Sequence, residues 1–172
     1  MDINKLKSIV LYVLNKTPDK TLGKHELFKI LYFASQKRLV RYGRAMITDF
    51  HALQYGPVPL ELYNYLKHSD NSAKLSVIVG KNTITTVEKP DVDELSKVDI
   101  QCLDESFAEN HGLSFNELVS KSHGFAWKKA KFKGFEKNDR NIDIIDIAIE
   151  AGAGEKTLEY IYEQIELEKA LS

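Results

Sequence analysis

Residues 27–66 read LFKILYFASQKRLVRYGRAMITDFHALQYGPVPLELYNYL, and this stretch decides the fold. Its first part predicts an amphipathic helix over residues 24–41, because apolar side chains recur at steps of three and four residues, at Leu27, Ile30, Leu31 and Ala34. Gly43 follows where a left-handed C-cap is expected. A polar loop, a corner at Tyr55–Pro59 and a second helix to about residue 67 complete the stretch.

The corner at Tyr55–Pro59 is stiff by composition. Pro57 and Pro59 fix their own φ angles, Gly56 admits backbone angles closed to other residues, and Val58 is held extended by the proline after it. Such a corner loses little entropy when a partner binds it. It is therefore either a preformed binding edge or an elbow that only lets two helices pack.

The rest of the chain predicts further helices and one hairpin. Asp2 is a plausible N-cap for a helix over 3–16, and Ser114 with Glu117 has the pattern of a capping box for a helix over 115–122. Further helices are predicted from about 97 to 110 and from 155 onward, with one helical turn at 125–127. The apolar run at 142–151 with interspersed acids favours a helix, with a strand as the alternative. The β-branched runs at 75–79 and 83–87 predict a β-hairpin.

The remaining segments are predicted to lack regular structure. Residues 44–58 read as irregular or weakly extended, and Ser69–Ser72 reads as a turn. Pro59 is placed in the first turn of the helix that follows the corner. The expected fold is mainly α (α+β): a compact single-domain helical bundle over 1–172 with one small β-hairpin, in which 135–172 forms a C-terminal helical extension.

Composition narrows the function classes. The chain has 172 residues, 43% of them apolar, and a net charge of −1, which argues against nucleic acid as its main partner. Its single cysteine, Cys102, excludes an intramolecular disulfide framework. No apolar run reaches the roughly 20 residues of a membrane helix, and the N-terminus lacks a signal-peptide pattern. We therefore expect no membrane partner and a cytoplasmic location.

No catalytic or metal-binding pattern is present. The five histidines are scattered without ligand spacing, and Cys102 has no neighbouring ligand in sequence. The chain has neither a nucleophile elbow nor a phosphate-binding loop. We expect no enzymatic activity, no metal and no cofactor.

Other features indicate protein contacts but leave alternatives open. Tyr55 and Tyr63 carry amphipathic rings that suit an interface. His123 and Trp127 are one helical step apart and share a face, either as a partner-contacting pair or as a core tryptophan beside a hydrogen-bonded histidine. The basic run at 128–133 is a solvated face, a surface that steers an acidic protein, or a phosphate contact.

Two ordered blocks of this sequence carry a family resemblance. The first comprises Lys29–Ala34, Tyr42-Gly43, Thr48–Phe50, Ala52, Tyr55–Pro59 and Glu61–Tyr63. The second comprises Leu113-Ser114, Glu117-Leu118, Ser122-His123 and Trp127. At this order and spacing the chain resembles the Panacea domain, also called the SocA-like antitoxin domain, of bacterial and phage proteins. The resemblance covers about residues 5–130.

The resemblance implies a mainly helical antitoxin that neutralises a cognate toxin protein by direct contact, without a catalytic residue set. One family member resembles a proteolytic adaptor that delivers its toxin to the ClpXP protease, and this is the first alternative. A nucleic-acid-binding regulator that uses the hairpin and the basic run is the second, and an unrecognised enzyme is the third. The expected partner-binding residues are Tyr55, Gly56, Pro57, Val58, Tyr63, His123 and Trp127.

Overall fold

The computed structural model describes residues 1–137 and 139–172, and the side chains of all of these except 135–137. The helices are α1 (Ile3–Leu14), α2 (Lys24–Tyr42), α3 (Leu60–Tyr65), α4 (Ser69–Lys74), α5 (Lys97–Asn110), α6 (Phe115–Ser122), α7 (Phe125–Lys137), α8 (Ile144–Glu150) and α9 (Glu155–Leu171). The strands are β1 (Thr21–Gly23), β2 (Phe50–Leu53), β3 (Gly56–Pro59), β4 (Ile78–Val79) and β5 (Thr83–Thr85). The predicted mainly helical architecture is confirmed.

Helix α2 lies at the centre of the molecule and packs against α5, α6, α8, α9, β1 and β3. Every residue from Leu27 to Ser35 is buried, so this central part of the helix is covered on all sides. Its polar groups are consequently bonded to other elements. Tyr32 donates to Glu150 at 2.7 Å, Arg38 Nε donates to Asp99 at 2.6 Å, and Ser106 Oγ donates to the Ile30 carbonyl at 2.6 Å.

The predicted β-hairpin is confirmed as β4 and β5, although both strands are shorter than expected. The three-residue strand β1 adds to the free edge of β5, which gives an antiparallel sheet in the order β1-β5-β4. Thr21 lies opposite Thr85 in this sheet, and their hydroxyl groups are 2.9 Å apart. A strand as short as β1 has no alternation of its own that could predict it.

The expectation of a single hairpin is wrong, because residues 50–59 form a second one. Strands β2 and β3 pair antiparallel with Phe50 opposite Pro59 and Leu53 opposite Gly56. The prolines are tolerated because β3 pairs in this sheet only with β2, while β2 also bonds residues 140–142, through the Ala52 amide to the Arg140 carbonyl and the Ile142 amide to the Phe50 carbonyl. Pro59 is thus the last strand residue and the N-cap of α3, not part of its first turn.

Local helix signals are mostly confirmed. The Asp2 side chain caps α1, and Ser114 with Glu117 makes both hydrogen bonds of a capping box at the start of α6. Two predictions are wrong. Ser69–Ser72, predicted as a turn, belongs to a short helix, α4. Helix α7, predicted as one turn, extends from Phe125 to Lys137. The helices predicted near 97, 142 and 155 are present as α5, α8 and α9.

Gly43 ends α2 in the left-handed conformation, with φ of 70°, and its α-carbon faces the ring of Tyr160 on α9. A Cβ at this position would collide with that ring, so we expect Gly43→Ala to be destabilising through both backbone strain and overpacking. Gly112→Ala is the matched control, because Gly112 has φ of 84° but, apart from its own chain neighbours, no atom of the described residues lies within 4 Å of the point where a Cβ would be.

We expect Gly112→Ala to lower the free energy of unfolding by about 1 kcal/mol, from backbone strain alone. Gly43→Ala should lower it by a further 1–3 kcal/mol or so, from the contact with Tyr160. Urea denaturation of the two variants measures the difference. Equal losses would show that the packing of α9 against the end of α2 is not as described.

Candidate protein-interaction site

The Tyr55–Pro59 corner is turned inward except at its first residue. Gly56, Pro57 and Val58 are buried, whereas Tyr55 is 51% exposed. The corner therefore serves the fold as an elbow. Direct contact of a partner with Gly56, Pro57 or Val58 would require the corner to open, but Tyr55 is accessible as it stands.

Lys29 on α2 binds the inner side of the corner. Its side chain is fully buried, and Nζ donates a hydrogen bond to the Pro57 carbonyl at 2.9 Å. Gly56 has φ of 114°, and a Cβ there would lie 2.7 Å from Lys29 Cε and 2.5 Å from Ser122 Oγ. Only glycine fits this conformation and this close approach. Burial also lowers the pKa of Lys29 to about 7.

Two histidines lie beside Lys29. His25 is one turn before it on α2, and His123 follows Ser122 at the end of α6. Burial, with smaller contributions from the charges of Lys29 and His123, lowers the pKa of His25 to about 4. Burial also lowers the pKa of His123, assisted by Lys131, Lys29 and Lys128. Both shifts favour the neutral form of the imidazole.

The Nε2 atoms of His25 and His123 are both buried, and within the described ranges neither has a protein hydrogen-bond partner. Unsatisfied buried polar atoms are uncommon in folded proteins and cost about 1–3 kcal/mol each. The region beneath the corner thus combines a desolvated lysine, two unsatisfied imidazoles and a glycine in a restricted conformation. These features are unfavourable for the local stability of this region.

An aromatic platform, made of His25, Tyr55 and Phe115, covers this region on the outside. The ring centroids of His25 and Phe115 are 4.3 Å apart, and those of Tyr55 and Phe115 are 5.3 Å apart in an edge-to-face arrangement. Phe115 is 49% exposed and is the first residue of α6, where the Ser114 capping box fixes the backbone. The platform is therefore both accessible and positioned in advance.

Sequence reasoning identified Tyr55 but missed His25 and Phe115. His25 precedes Lys29 by four residues and so shares its helical face, which is the signal that links it to the corner. Phe115 stands at the first position of a capped helix whose buried residues begin only at Leu118. A large apolar residue at that position, outside the buried stripe, is the corresponding signal for Phe115.

The other predicted partner-binding residues, His123, Trp127 and Tyr63, are buried or half-buried. His123 and Trp127 stack with ring centroids 3.6 Å apart and planes at 7°, although they are not on one helix, since His123 is the C-cap of α6 and Trp127 belongs to α7. Trp127 is buried and its Nε1 donates to the Leu53 carbonyl at 2.9 Å, while Lys131 Nζ lies 4.6 Å from its ring. The half-buried Tyr63 packs edge-on against Phe28, and Lys67 lies over its ring.

Residues 1–137 and 139–172 contain no group of three histidine, cysteine or acidic side chains arranged to hold a metal ion. In the same residues no helix is long and apolar enough to cross a membrane.

Comparison with known proteins identifies the family. Residues 27–128 match the family model described as antitoxin SocA-like, Panacea domain, and this range contains Tyr55, Phe115, Lys29 and both motif blocks. Because the match spans more than half of the 172 residues, the chain belongs to the SocA-like Panacea family. Membership suggests an antitoxin-type, non-enzymatic role. No curated protein and no solved structure matches the chain.

The depressed pKa of Lys29 predicts a rise in stability with pH. Between the folded pKa of about 7 and the unfolded value of 10.5, the unfolded chain binds more protons, so the free energy of unfolding increases as pH rises through this window. We expect an increase of roughly 2–3 kcal/mol from pH 7 to pH 9.5, measured by urea denaturation.

The variant Lys29→Met should lose this increase, since methionine has no proton to exchange. Lys128→Met, on the exposed side of α7, should keep it. An identical pH dependence in Lys29→Met and the wild type would contradict the burial of an ionisable lysine at this position.

The lowered pKa of His25 predicts a loss of stability at acidic pH. Its pKa is lowered from 6.5 to about 4 on folding, so its contribution to stability is complete above pH 6.5 and is lost as pH falls towards 4. His25→Phe keeps a ring against Phe115 and should reduce the fall in melting temperature between pH 7 and pH 4.5. His68→Phe, an exposed control, should leave that fall unchanged.

Proposed function

We propose that this protein is the antitoxin of a bacterial or phage toxin-antitoxin system and neutralises its cognate toxin by direct binding in the cytoplasm. The aromatic platform is the proposed anchor of the interface. The observation that carries the proposal is a pair of half-exposed aromatic side chains in contact, Tyr55 of the rigid corner and Phe115 of α6, in a chain that belongs to an antitoxin family.

The platform has the physical properties of an interface hot spot. Tyr55 and Phe115 offer large apolar surfaces that a partner can desolvate, and aromatic anchors dominate the energy of many interfaces. Both rings are held before binding, Tyr55 next to the buried Gly56 and Phe115 by its capped helix start and the ring of His25. Little conformational entropy then remains to be lost on association.

The platform alone is too small for a stable complex. A specific interface buries about 1,200–2,000 Å² in total, so the toxin must extend beyond the platform to neighbouring surface. The half-buried His123 is part of this neighbouring surface. In this proposal the toxin is a protein encoded beside the antitoxin gene.

Binding of the neighbouring gene product to the purified chain tests the proposal. We expect Tyr55→Ala and Phe115→Ala each to raise the Kd about 30-fold or more, since truncation of an aromatic hot spot costs about 2 kcal/mol or more. Tyr42→Ala is the matched control, because Tyr42 is a comparably exposed tyrosine at the end of α2 and should have little effect.

Growth of cells that express the toxin should be restored by the wild type and by Tyr42→Ala but not by the two platform variants at equal protein level. Full binding by both platform variants would show that the platform is not the anchor of the interface. Absence of any complex would overturn the proposed function. If rescue requires ClpXP and toxin levels fall, the protein is an adaptor rather than a stoichiometric inhibitor.

A further inference from the structure

A second exposed surface lies on the outer side of α7, α8 and α9, and we call it the α7–α9 face. It displays four large apolar side chains in solvent, at Phe125, Phe132, Ile149 and Tyr162. Phe132 is 69% exposed and Tyr162 is 54% exposed. Grouped apolar side chains of this size on a soluble domain commonly mark a protein interface.

The α7 edge of this face is basic. Phe125, Lys128, Lys129 and Phe132 follow the three- and four-residue spacing of one helical stripe, opposite the buried Ala126 and Ala130. Lys129 Nζ lies 5.8 Å from the ring centroid of Phe125 and donates to Asp146 on α8 at 2.8 Å. The exposed Lys128 adds further positive charge along the same edge.

The α9 edge is acidic. Tyr162 is preceded by Glu159 and followed by Glu166 at steps of three and four residues, so the three side chains share one exposed stripe. Glu166 also accepts from Lys169 at 2.9 Å, in an exposed pair. Across this helix the exposed acids outnumber the two lysines, Lys156 and Lys169.

Helix α8 joins the two edges, since it packs against both α7 and α9. Asp146 and Ile149 are three residues apart on α8, which puts the apolar Ile149 on the same side as the carboxylate that binds Lys129. The hydrogen bond from Lys129 to Asp146 raises the pKa of Lys129, and the nearby Asp143 and Tyr162 also raise it. Tyr162 on α9 is thus near the basic edge.

We propose that the α7–α9 face binds a second copy of this chain about a two-fold axis, with the basic α7 of one protomer against the acidic α9 of its partner. A face with opposite charges on its two edges becomes complementary to itself when rotated by 180°. The apolar residues then meet in the middle of the interface. This surface uses none of the platform residues, so the proposal is independent of toxin binding.

The size of the face predicts a weak dimer. At 1.5 Å per residue the 13-residue α7 and the 17-residue α9 are each roughly 20–25 Å long, and three packed helices span a similar width. The face therefore offers about 500 Å² per protomer, or about 1,000 Å² in total, which is near the lower limit of specific interfaces. A micromolar Kd with marked salt dependence is expected.

Sedimentation equilibrium of the full chain between 1 and 200 μM tests the proposal. We expect a monomer–dimer equilibrium whose Kd rises several-fold between 50 and 500 mM NaCl. Lys128→Glu, and separately Glu159→Lys with Glu166→Lys, should each raise the Kd at least tenfold. Lys74→Glu, a charge reversal on the exposed side of α4, is the control and should not change it.

An equimolar mixture of the two reversed variants distinguishes this arrangement from others. In the mixed dimer one contact has both charges reversed and the other has both native, so each contact is attractive and association should return to near the wild-type level. A monomeric wild type at 200 μM, or no recovery in the mixture, would overturn the proposal. Loss of toxin binding in a monomeric Lys128→Glu variant would instead assign the face to the toxin.

Discussion

The burial of α2 on all sides between Leu27 and Ser35 is the constraint on which the rest of the structure depends. A buried helix whose side chains include lysine, tyrosine and serine must find a hydrogen-bond partner for each polar group. Lys29 finds the Pro57 carbonyl, Tyr32 finds Glu150, and Ser35 Oγ accepts from the Ile47 amide. These bonds lead to different elements, so the polar groups of one helix fix the positions of β3, α8 and the segment before β2.

The interaction site follows from the same constraint. Because Lys29 must stay bonded to Pro57, the corner cannot move away from α2, and Tyr55 is held at the surface immediately before it. The arrangement is unfavourable in part, since it desolvates an amine and leaves two imidazole nitrogens without a protein partner in the described chain. Locally unfavourable groups of this kind are retained in proteins chiefly where function depends on the geometry they impose.

How much the sequence predicts depends on how local each signal is. The Asp2 cap, the Gly43 C-cap and the Ser114 capping box were predictable because each is completed within a few residues. The β2–β3 hairpin was missed because its prolines hide the strand pattern and its other edge bonds residues 140–142, almost ninety residues later. The platform was missed in part for the same reason, since His25 and Phe115 meet only in the folded chain.

The two proposed surfaces lie in different parts of the chain relative to the family match. Tyr55 and Phe115 of the platform lie within residues 27–128, the range shared with the family, and His25 lies just before it, whereas α8, α9 and most of α7 lie beyond it. The C-terminal part is nevertheless integral to the core, because the Glu150 carboxylate accepts hydrogen bonds from Tyr32, Gln36 and the Ala126 amide. Without α8 the buried Tyr32 hydroxyl would lose its acceptor. The segment that carries the proposed self-association face therefore also supports the helix that positions the platform.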